Sequence, residues 1–434
     1  MAKEKSNNIL DDLINEQFTE MKDLSKEDTT CNEFIDSGNY AINYCCSRSL
    51  FGAYAIGQIN ALYGESGVGK SMLPMIAAKD PKLSRIIVID SEGSGSGKSL
   101  AEFVGAPLEK IRYMSVQTLD SYRVNKENGK IEEVADKDVP NKLSTPTYEY
   151  HRGLILVLKK IIYALEYSKN TDKNLIIVDS LSNMKSVRAA LLGIADVGKT
   201  NVLLNQLFSS LDNALKTTNT TLIFAGKVYT NINAGMYGGG EGIMAGGGAT
   251  LYNSSLTLML TALQDNPELA DADLKSEKER RKTGLGNSLK TVRVRVKKSR
   301  FGTEGRNCWV ILDAAYGLTR YSGLFQLLYD FGICVKTGSR YSVPGIFVNE
   351  KGEDITFYKK DFVSEFIKNE KEYLPKLQEK LQEVEEKIKQ EKLNLTANDL
   401  EEAFEDSEDS PSSLFDMARV MEAEADMVAD ALED

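Results

Sequence analysis

Several residue types that build common active sites are scarce in this chain. Its 434 residues include one histidine, His151, and its five cysteines form no Cys-x-x-Cys pair. Zinc centres and Cys/His nucleophiles need several such side chains at fixed spacing, so we expect neither and expect buried or idle thiols in a reducing cytoplasm. Apolar runs are also short. None approaches the roughly 20 residues that span a bilayer, and the N-terminus has no apolar signal core, which predicts a cytoplasmic chain outside membranes.

Acidic charge exceeds basic charge, but the excess is confined to one end. The formal net charge is −11, and residues 401–434 contain 13 acidic side chains against one basic side chain, Arg419. Residues 275–300 contain eleven Lys or Arg and only two acids. These opposite blocks predict a basic binding surface and an acidic tail that competes for it. The plainer alternative is a solubilising tail and a solvated basic face.

Apolar stretches alternate with helical periodicity through the middle of the chain. The strand-like stretches are 59–63, 85–90, 112–116, 174–180, 221–226 and 255–263, and helical patterns lie around 148–168 and 200–217. Near-continuous apolar strands between helices are typical of a parallel sheet covered on both faces, so the predicted fold class is α/β. Two later runs rich in β-branched residues, LKTVRVRV and CWVILDAA, are expected to extend the sheet with antiparallel strands.

Composition divides the chain into four predicted segments. Apolar residues from Ile9 to Leu24 recur at helical spacing, and such a helix docks either on its own domain or on a neighbouring subunit. Strand-like pieces are expected around Ile346 and Ile355, and the acidic tail is expected to be disordered or transiently helical. The segments are 1–34, an N-terminal helical or oligomerisation segment; 35–320, the core; 321–395, a small C-terminal α+β domain; and 396–434, the tail.

One glycine-rich motif points to chemistry. Residues 64–71, GESGVGKS, match G-x-x-x-x-G-K-[ST] and lie between an apolar strand and a helical run. In such a phosphate loop the backbone N–H groups and the helix N-terminus surround the phosphates, Lys70 reaches the β- and γ-phosphates, and Ser71 Oγ ligates Mg²⁺. A later GKS, at 97–99, is one residue short of the motif and is not a second loop. The residues expected to hold ATP are Gly64, Glu65, Ser66, Gly67, Val68, Gly69, Lys70 and Ser71.

Two acidic residues follow predicted strands. Asp179 ends the apolar run 175–178, the Walker B pattern, and is expected to hold Mg²⁺. Glu92 follows the strand at 85–90, and a carboxylate at that edge of a neighbouring strand can orient the attacking water. Glu92 is therefore the candidate general base, the alternative being a carboxylate that caps its loop.

The order of these pieces resembles that of RecA-family recombinases, most closely the UvsX-type members of tailed phages, over roughly residues 35–340. The resemblance implies a RecA-like P-loop ATPase core with a mostly parallel sheet. The matching pieces are the phosphate loop, Asp90-Ser91-Glu92, Asp179 to Asn183, Leu222 to Gly226, Gly246 to Ala249, Lys297 to Arg300 and Tyr321 to Leu324.

The resemblance also implies roles for individual residues. Lys227 occupies the position that senses the γ-phosphate, where relatives carry an amide or an imidazole. Lys298 and Arg300 correspond to catalytic cations that reach across a subunit interface to the neighbour's ATP; the alternative is a phosphate-binding or solvated pair. The tyrosine that stacks on adenine in the family falls at or near Ser99 or Leu100.

Two segments are expected to bind DNA. Residues 230–249 contain eight glycines, and a long glycine-rich loop inside a compact α/β domain is either functional or disordered. Its glycines allow close approach to a phosphate strand, while aromatic and methionine side chains stack on bases. Residues 183–199 form the other segment, and ordinary surface loops are the alternative for both. The expected DNA contacts are Lys185, Arg188, Lys199, Met236, Tyr237, Gly246, Gly247 and Gly248.

Together these features predict a DNA-dependent ATPase that forms helical filaments on single-stranded DNA and promotes homologous pairing and strand exchange in recombination, repair and recombination-dependent replication. The expected cofactors are ATP and Mg²⁺. The expected partners are single- and double-stranded DNA, further copies of the chain, a recombination mediator and a single-strand-binding protein. If a phage encodes the chain, it acts in the host cytoplasm. The alternatives are a RecA-like hexameric helicase that unwinds duplex as a closed ring, and a RecA-like ATPase that anneals or scaffolds DNA.

Overall fold

The computed structural model describes most of the chain between residues 33 and 394. The described ranges are 33–91, 93, 97–168, 171–194, 197–229, 243–244, 247–263, 289–313 and 317–394. The predictions made for the N-terminal segment 1–32 and for the acidic tail lie outside these ranges, as do those for Glu92, Met236, Tyr237 and Gly246.

Strands and helices alternate along the described ranges as the apolar pattern predicted. The strands are β1 Phe34–Ile35, β2 Tyr54–Ala55, β3 Ile59–Gly64, β4 Leu83–Asp90, β5 Ile111–Ser115, β6 Ser121–Asn125, β7 Ile131–Val134, β8 Tyr148–His151, β9 Lys173–Asp179, β10 Thr220–Tyr229, β11 Ile243–Met244, β12 Leu256–Leu263, β13 Leu289–Ser299, β14 Asn307–Asp313, β15 Gly317–Leu318, β16 Val335–Thr337, β17 Arg340–Ser342 and β18 Thr356–Phe357. The helices are α1 Tyr40–Ser47, α2 Met72–Ala77, α3 Gly97–Val104, α4 Leu154–Tyr167, α5 Val187–Ala190, α6 Val197–Thr217, α7 Gly247–Asn253, α8 Leu324–Asp330, α9 Phe362–Lys368 and α10 Glu370–Asn394.

A ten-stranded sheet organises the described residues. Nine of its strands run in the order β15-β14-β13-β12-β3-β10-β9-β4-β5, and β11 pairs with β10 beside this path. The strands from β12 to β5 are mutually parallel, and β13, β14 and β15 add antiparallel pairs. The predicted α/β class, the mostly parallel sheet and the antiparallel extension are confirmed.

Both faces of this sheet are buried under helices. Each strand contributes to both faces, because alternate residues of a strand point to opposite sides. In β9, Leu175 and Ile177 join the apolar layer under α1, α2 and α3, whereas Ile176 and Val178 join the layer under α4 and α6. The thiols of Cys45, Cys46, Cys308 and Cys334 are free and buried, as expected. Within the described part of the chain no helix has the length and apolar character needed to cross a membrane.

A small antiparallel sheet of order β7-β6-β8, here called the insert sheet, interrupts the path from β5 to α4. The prediction of a helical stretch from about residue 148 was wrong for its first residues: Tyr148–His151 is strand β8, and the helix begins at Leu154. His151 stacks on Tyr122 at 4.5 Å between ring centroids, which favours pairing with β6. At Gly153 the chain passes so close to β6 that a Cβ atom would lie 2.3 Å from the Asp120 backbone.

The chain divides into two compact units, residues 1–374 and 375–434. The first unit includes a three-stranded antiparallel sheet of order β16-β17-β18. The expected strand at Ile346 was wrong, because its N–H donates to the Val343 carbonyl at 3.1 Å and closes a turn. The strand expected near Ile355 is present as Thr356–Phe357. In the second unit, Leu377 and Leu381 of α10 are buried.

Candidate nucleotide site

A cavity of about 810 Å³ opens at the edge of the main sheet where its parallel strands end. Gly64, Asp90 and Asp179 are the last residues of β3, β4 and β9, and all three line it. Lys290, near the start of antiparallel β13, lines the same cavity. The volume lies within the roughly 300–1,000 Å³ of small-molecule sites. The sheet therefore brings into one cavity residues that are far apart in the sequence.

The phosphate loop adopts a conformation that requires its glycines. Gly67 and Gly69 have φ angles of 75° and 93°, in the left-handed region that other residues rarely adopt. A Cβ atom on Gly64 would lie 2.4 Å from the Leu260 carbonyl oxygen, and one on Gly69 would lie 2.7 Å from Leu312 Cδ1. Gly64 and Gly69 thus lie where the backbone has no space for a side chain, and Gly67 lies where the backbone conformation favours glycine.

All but one of the predicted phosphate-loop residues line the cavity. The exception is Val68, which is 1% exposed and packs in the core. The ammonium of Lys70 donates to the Glu65 carbonyl, so this side chain lies across its own loop. The lining loop residues are Gly64, Glu65, Ser66, Gly67, Gly69, Lys70 and Ser71.

The ends of β4 and β9 are joined to each other beside the loop. Ser91 Oγ donates to the Ser180 carbonyl at 2.8 Å and accepts from the Ser180 N–H at 2.9 Å. The Ser91 N–H donates to the Asp179 carbonyl at 2.9 Å. Asp90 and Asp179 are register partners and both line the cavity. Ser71 and Asp179 thus line one cavity, and a hydroxyl and a carboxylate are donors that suit Mg²⁺ bound by one or two carboxylates and substrate phosphates.

Tyr113 is a cavity residue that the sequence pattern did not reveal. Its hydroxyl, on β5, donates to Asp90 Oδ2 at 2.5 Å, while the Gly93 N–H donates to the other oxygen at 3.0 Å. The ring packs so closely on Gly97 that a Cβ there would lie 2.7 Å away. Asp90 is therefore held at both oxygens, and it fixes the backbone on both sides of position 92.

Two lysines of the same chain lie beside the phosphate loop. Lys227 pairs in register with Gly64 and lines the cavity. Its N–H donates to Ser182 Oγ at 2.5 Å, and its ammonium donates to Asn183 Oδ1 at 3.0 Å. The ammonium of Lys290 donates to the Gly67 carbonyl at 3.3 Å. Sequence reasoning identified Lys227 but missed Lys290, which it counted only as part of the basic block.

Arg300 lies at the opposite edge of the sheet, whereas Lys298 lies level with Ala61 in the middle of β3. The Arg300 N–H donates to the Ser255 carbonyl at 2.9 Å, and the Ser255 N–H donates at 2.8 Å to Ile59, the first residue of β3. Strand β3 spans five residue steps from Ile59 to Gly64, about 17 Å at 3.3 Å per residue. These two cations therefore do not join the cavity of their own chain.

The Lys298 side chain instead holds the end of a helix. Its ammonium donates to the carbonyls of Leu251 and Tyr252, at 2.7 and 2.6 Å, in the last turn of α7. Burial lowers the pKa of Lys298, and the neighbouring Arg300 charge lowers it further. The carbonyls at a helix C-terminus favour a cation at this position.

The first expected DNA segment, residues 183–199, begins four residues after Asp179. Lys185 and Arg188 are exposed, and Leu192 and Ile194 are 42% and 44% exposed. Lys199 differs from them, because its ammonium pairs with Asp120 at 3.3 Å and with Glu133 of the insert sheet at 2.5 Å. Its charge is therefore shared with two carboxylates.

The part of the second DNA segment that the structure describes is linked to the phosphate-loop strand. Gly247 and Gly248 begin α7. The Tyr63 hydroxyl, one residue before the loop, donates to Thr250 Oγ1 of this helix at 2.6 Å. Burial raises the pKa of Tyr63 to about 12. The helix that follows the glycine-rich stretch is thus bonded to β3, the strand that leads into the phosphate-loop motif.

Comparison of the sequence with known protein families and with curated proteins finds no significant match. The functional assignment therefore depends on the geometry of the cavity and on the motifs that line it.

Proposed function

We propose that this chain is a RecA-type, DNA-dependent ATPase that forms a filament on single-stranded DNA and pairs it with homologous duplex. The observation that carries the proposal is the cavity itself. It combines the phosphate loop with Asp179, and both lie beside Lys227, which contacts the start of the first DNA segment. One site with this composition links phosphate chemistry to a DNA-binding surface.

The cavity residues support hydrolysis of a nucleoside triphosphate. Lys70 would bind the β- and γ-phosphates, while Ser71 and Asp179 would hold Mg²⁺, which neutralises charge on the phosphates when bound. Preorganised cations of this kind stabilise the charge that develops during phosphoryl transfer. Glu92 would orient water, since the bond of Ser91 to Ser180 and the bond of the Gly93 N–H to Asp90 fix the backbone on either side of it.

The position of Lys298 and Arg300 supports a site that two subunits complete. They lie outside the cavity of their own chain, toward the edge of the sheet where β3 begins. A neighbour that packs this edge against the cavity supplies both cations in trans. Such a head-to-tail contact joins two different surfaces, and repeated contacts that do not close generate a helical filament.

The exposed side chains of the first DNA segment support contact with a single strand. Lys185 and Arg188 would bind phosphates, a salt-dependent interaction. Exposed Leu192 and Ile194 would contact unstacked bases, which also bind aromatic and apolar side chains. The nearby Lys199 would hold the segment against the insert sheet through Asp120 and Glu133.

Electron microscopy tests the proposal. The full chain is mixed with single-stranded DNA and a slowly hydrolysed ATP analogue, and helical filaments are expected. Lys70→Ala under the same conditions serves as the control with impaired phosphate binding, and it is expected to form few filaments or none. Closed rings would favour the hexameric helicase instead. Filaments that bind DNA but never exchange strands with a homologous duplex would favour the annealing or scaffolding ATPase.

A further inference from the structure

We infer that Asp120 is a positioning residue for DNA binding, because its one carboxylate joins the two ends of the first DNA segment. The inference rests on the proposed function and specifies what shapes that segment before DNA binds. Asp120 Oδ1 accepts from the Val187 N–H at 2.6 Å, near the start of the segment. Asp120 Oδ2 lies 3.3 Å from the ammonium of Lys199, the last residue of the segment. A single side chain thus closes the loop from 187 to 199.

Asp120 is itself held in a fixed place, directly before strand β6 of the insert sheet. The Leu154 N–H, in the first turn of α4, donates to the Thr118 carbonyl at 2.9 Å. The next N–H of that helix, from Ile155, donates to the Leu119 carbonyl at 3.1 Å. Leu154 is 0% exposed, so the start of α4 is anchored in the core. Residues 118–120 therefore give the DNA segment a rigid support.

A second contact supports each end of the segment. At its start, the Leu119 N–H donates to the Lys185 carbonyl at 2.9 Å. At its end, Glu133 of strand β7 lies 2.5 Å from the Lys199 ammonium. Strand β7 pairs with β6, the strand that follows Asp120. The insert sheet and the residues that lead into it thus hold the segment at both ends.

The burial of this ion pair favours positioning over a direct contact of Lys199 with DNA. The side chains of Lys199 and Asp120 are 29% and 12% exposed. Burial raises the pKa of Asp120, because an ionised carboxylate is costly there without a charged partner. An ammonium that moved to a DNA phosphate would leave that carboxylate uncompensated. Lys199 therefore holds the segment, while the exposed Lys185 and Arg188 are the cations available to phosphates.

Closure of the segment lowers the cost of binding a strand. A loop that is already ordered loses less conformational entropy when its ligand binds. Between the two ends, the Ile194 N–H donates to the Arg188 carbonyl at 3.0 Å. This turn carries the exposed Arg188, Leu192 and Ile194. The side chains expected to meet phosphates and bases are thus arranged before DNA binds.

Asp120→Asn tests the role of the carboxylate. The amide keeps an oxygen for the Val187 N–H but loses the charge that holds Lys199. Affinity for a fluorescent single strand, with a slowly hydrolysed ATP analogue, is expected to fall about fivefold, while affinity for the analogue without DNA stays unchanged. The measurement uses about 0.15 M salt, where the Debye length is about 8 Å and remote charges are screened.

Asp138→Asn is the matched control for this loss of charge. Asp138 is exposed and lies between β7 and β8, so its substitution is expected to leave the single-strand affinity within about twofold. A rise in affinity in Asp120→Asn would mean that the substitution frees Lys199 for DNA. That result would overturn the inference, and so would an affinity equal to that of wild type.

Lys199→Gln separates positioning from phosphate contact through the salt dependence of binding. For a single strand, each phosphate contact contributes about 0.7 to the slope of log affinity against log salt. Lys185→Gln is expected to reduce the slope by about that amount. Lys199→Gln is expected to lower affinity about fivefold with the slope of wild type, and Lys199→Arg should restore most of the loss. A reduced slope in Lys199→Gln would identify a direct phosphate contact and overturn the inference.

Amide hydrogen exchange without DNA separates this inference from the proposed function. If the wild-type chain binds no single strand, the proposed function fails, and exchange in residues 187–194 still decides whether Asp120 holds the segment. Asp120→Asn and Lys199→Gln are each expected to raise that exchange about tenfold and to leave exchange in β9 unchanged. Exchange in 187–194 at the wild-type rate, or an equal rise in β9, would overturn the inference.

Discussion

At the scale of single residues, the phosphate loop depends on backbone that only glycine fits. We predict that Gly69→Ala lowers affinity for ATP about tenfold or more, because the left-handed φ is strained and the new Cβ would meet Leu312 at 2.7 Å. Gly129→Ala is the matched control, with φ of 71° and no atom within 4 Å of its Cβ. It should lower the free energy of unfolding by about 1 kcal/mol and leave ATP binding intact. Equal binding losses in both would argue against the steric account.

Tyr63 makes a prediction about alkaline pH. A tyrosine in an unfolded chain ionises near pH 10, whereas burial raises the folded pKa of Tyr63 to about 12. Between these values the unfolded state loses the proton first, so the stability present below pH 10 is lost as pH rises toward 12, by up to about 2–3 kcal/mol.

Tyr63→Phe removes this loss together with the hydrogen bond to Thr250. We expect the variant to be less stable than wild type by about 1 kcal/mol at pH 7 and the gap to narrow or reverse above pH 10. Denaturant unfolding of both proteins from pH 7 to 11.5 measures this difference in stability. Tyr167→Phe, at an 80% exposed position, should show no such change, and a gap constant with pH would contradict the prediction.

At the scale of elements, the Ser91–Ser180 pair holds the ends of β4 and β9 together. Ser91→Ala leaves the buried N–H and carbonyl of Ser180 without this partner, which is expected to cost about 1–3 kcal/mol of unfolding free energy. Since the same bonds position Asp179, the Mg²⁺ concentration for half-maximal ATP hydrolysis should rise several-fold. Titration with Mg²⁺ measures this. Ser91→Thr, which keeps the hydroxyl, should restore much of the metal affinity, and a wild-type Mg²⁺ curve for Ser91→Ala would exclude the positioning role.

Some elements of the site could be predicted from the sequence and others could not. The phosphate loop and Asp179 were predictable because each belongs to a local pattern of a strand followed by a turn. Lys290 was not, since its bond to Gly67 joins residues 223 positions apart, and β13 must first lie antiparallel at the correct edge. Tyr113 was missed for the same reason, because strand order brings it to the cavity. The insert strand Tyr148–His151 was mistaken for helix because an apolar helical run begins directly after it.

At the scale of the whole molecule, the distance between Lys70 and the Lys298/Arg300 pair predicts complementation. Lys70→Ala chains lack the phosphate contact but supply both cations, whereas chains with Lys298→Ala and Arg300→Ala have the reverse defect. Each should be nearly inactive alone. In an equal mixture about a quarter of the interfaces combine an intact loop with intact cations, so DNA-stimulated phosphate release should recover to about that fraction of wild type. No recovery would indicate that the cations do not act across an interface.

Strand β13 has a consequence for communication between such sites. It carries Lys290 at the cavity edge and Lys298 eight residues farther along, about 26 Å away at 3.3 Å per residue. In the proposed filament one strand would therefore touch two successive nucleotides, its own through Lys290 and the neighbour's through Lys298. It pairs with β14 over residues 289–295 and with β12 over residues 291–299, with one register irregularity before Lys298. Hydrolysis at one nucleotide would then change the position of β13 at the next nucleotide. Successive subunits of the filament would therefore tend to hydrolyse ATP one after another.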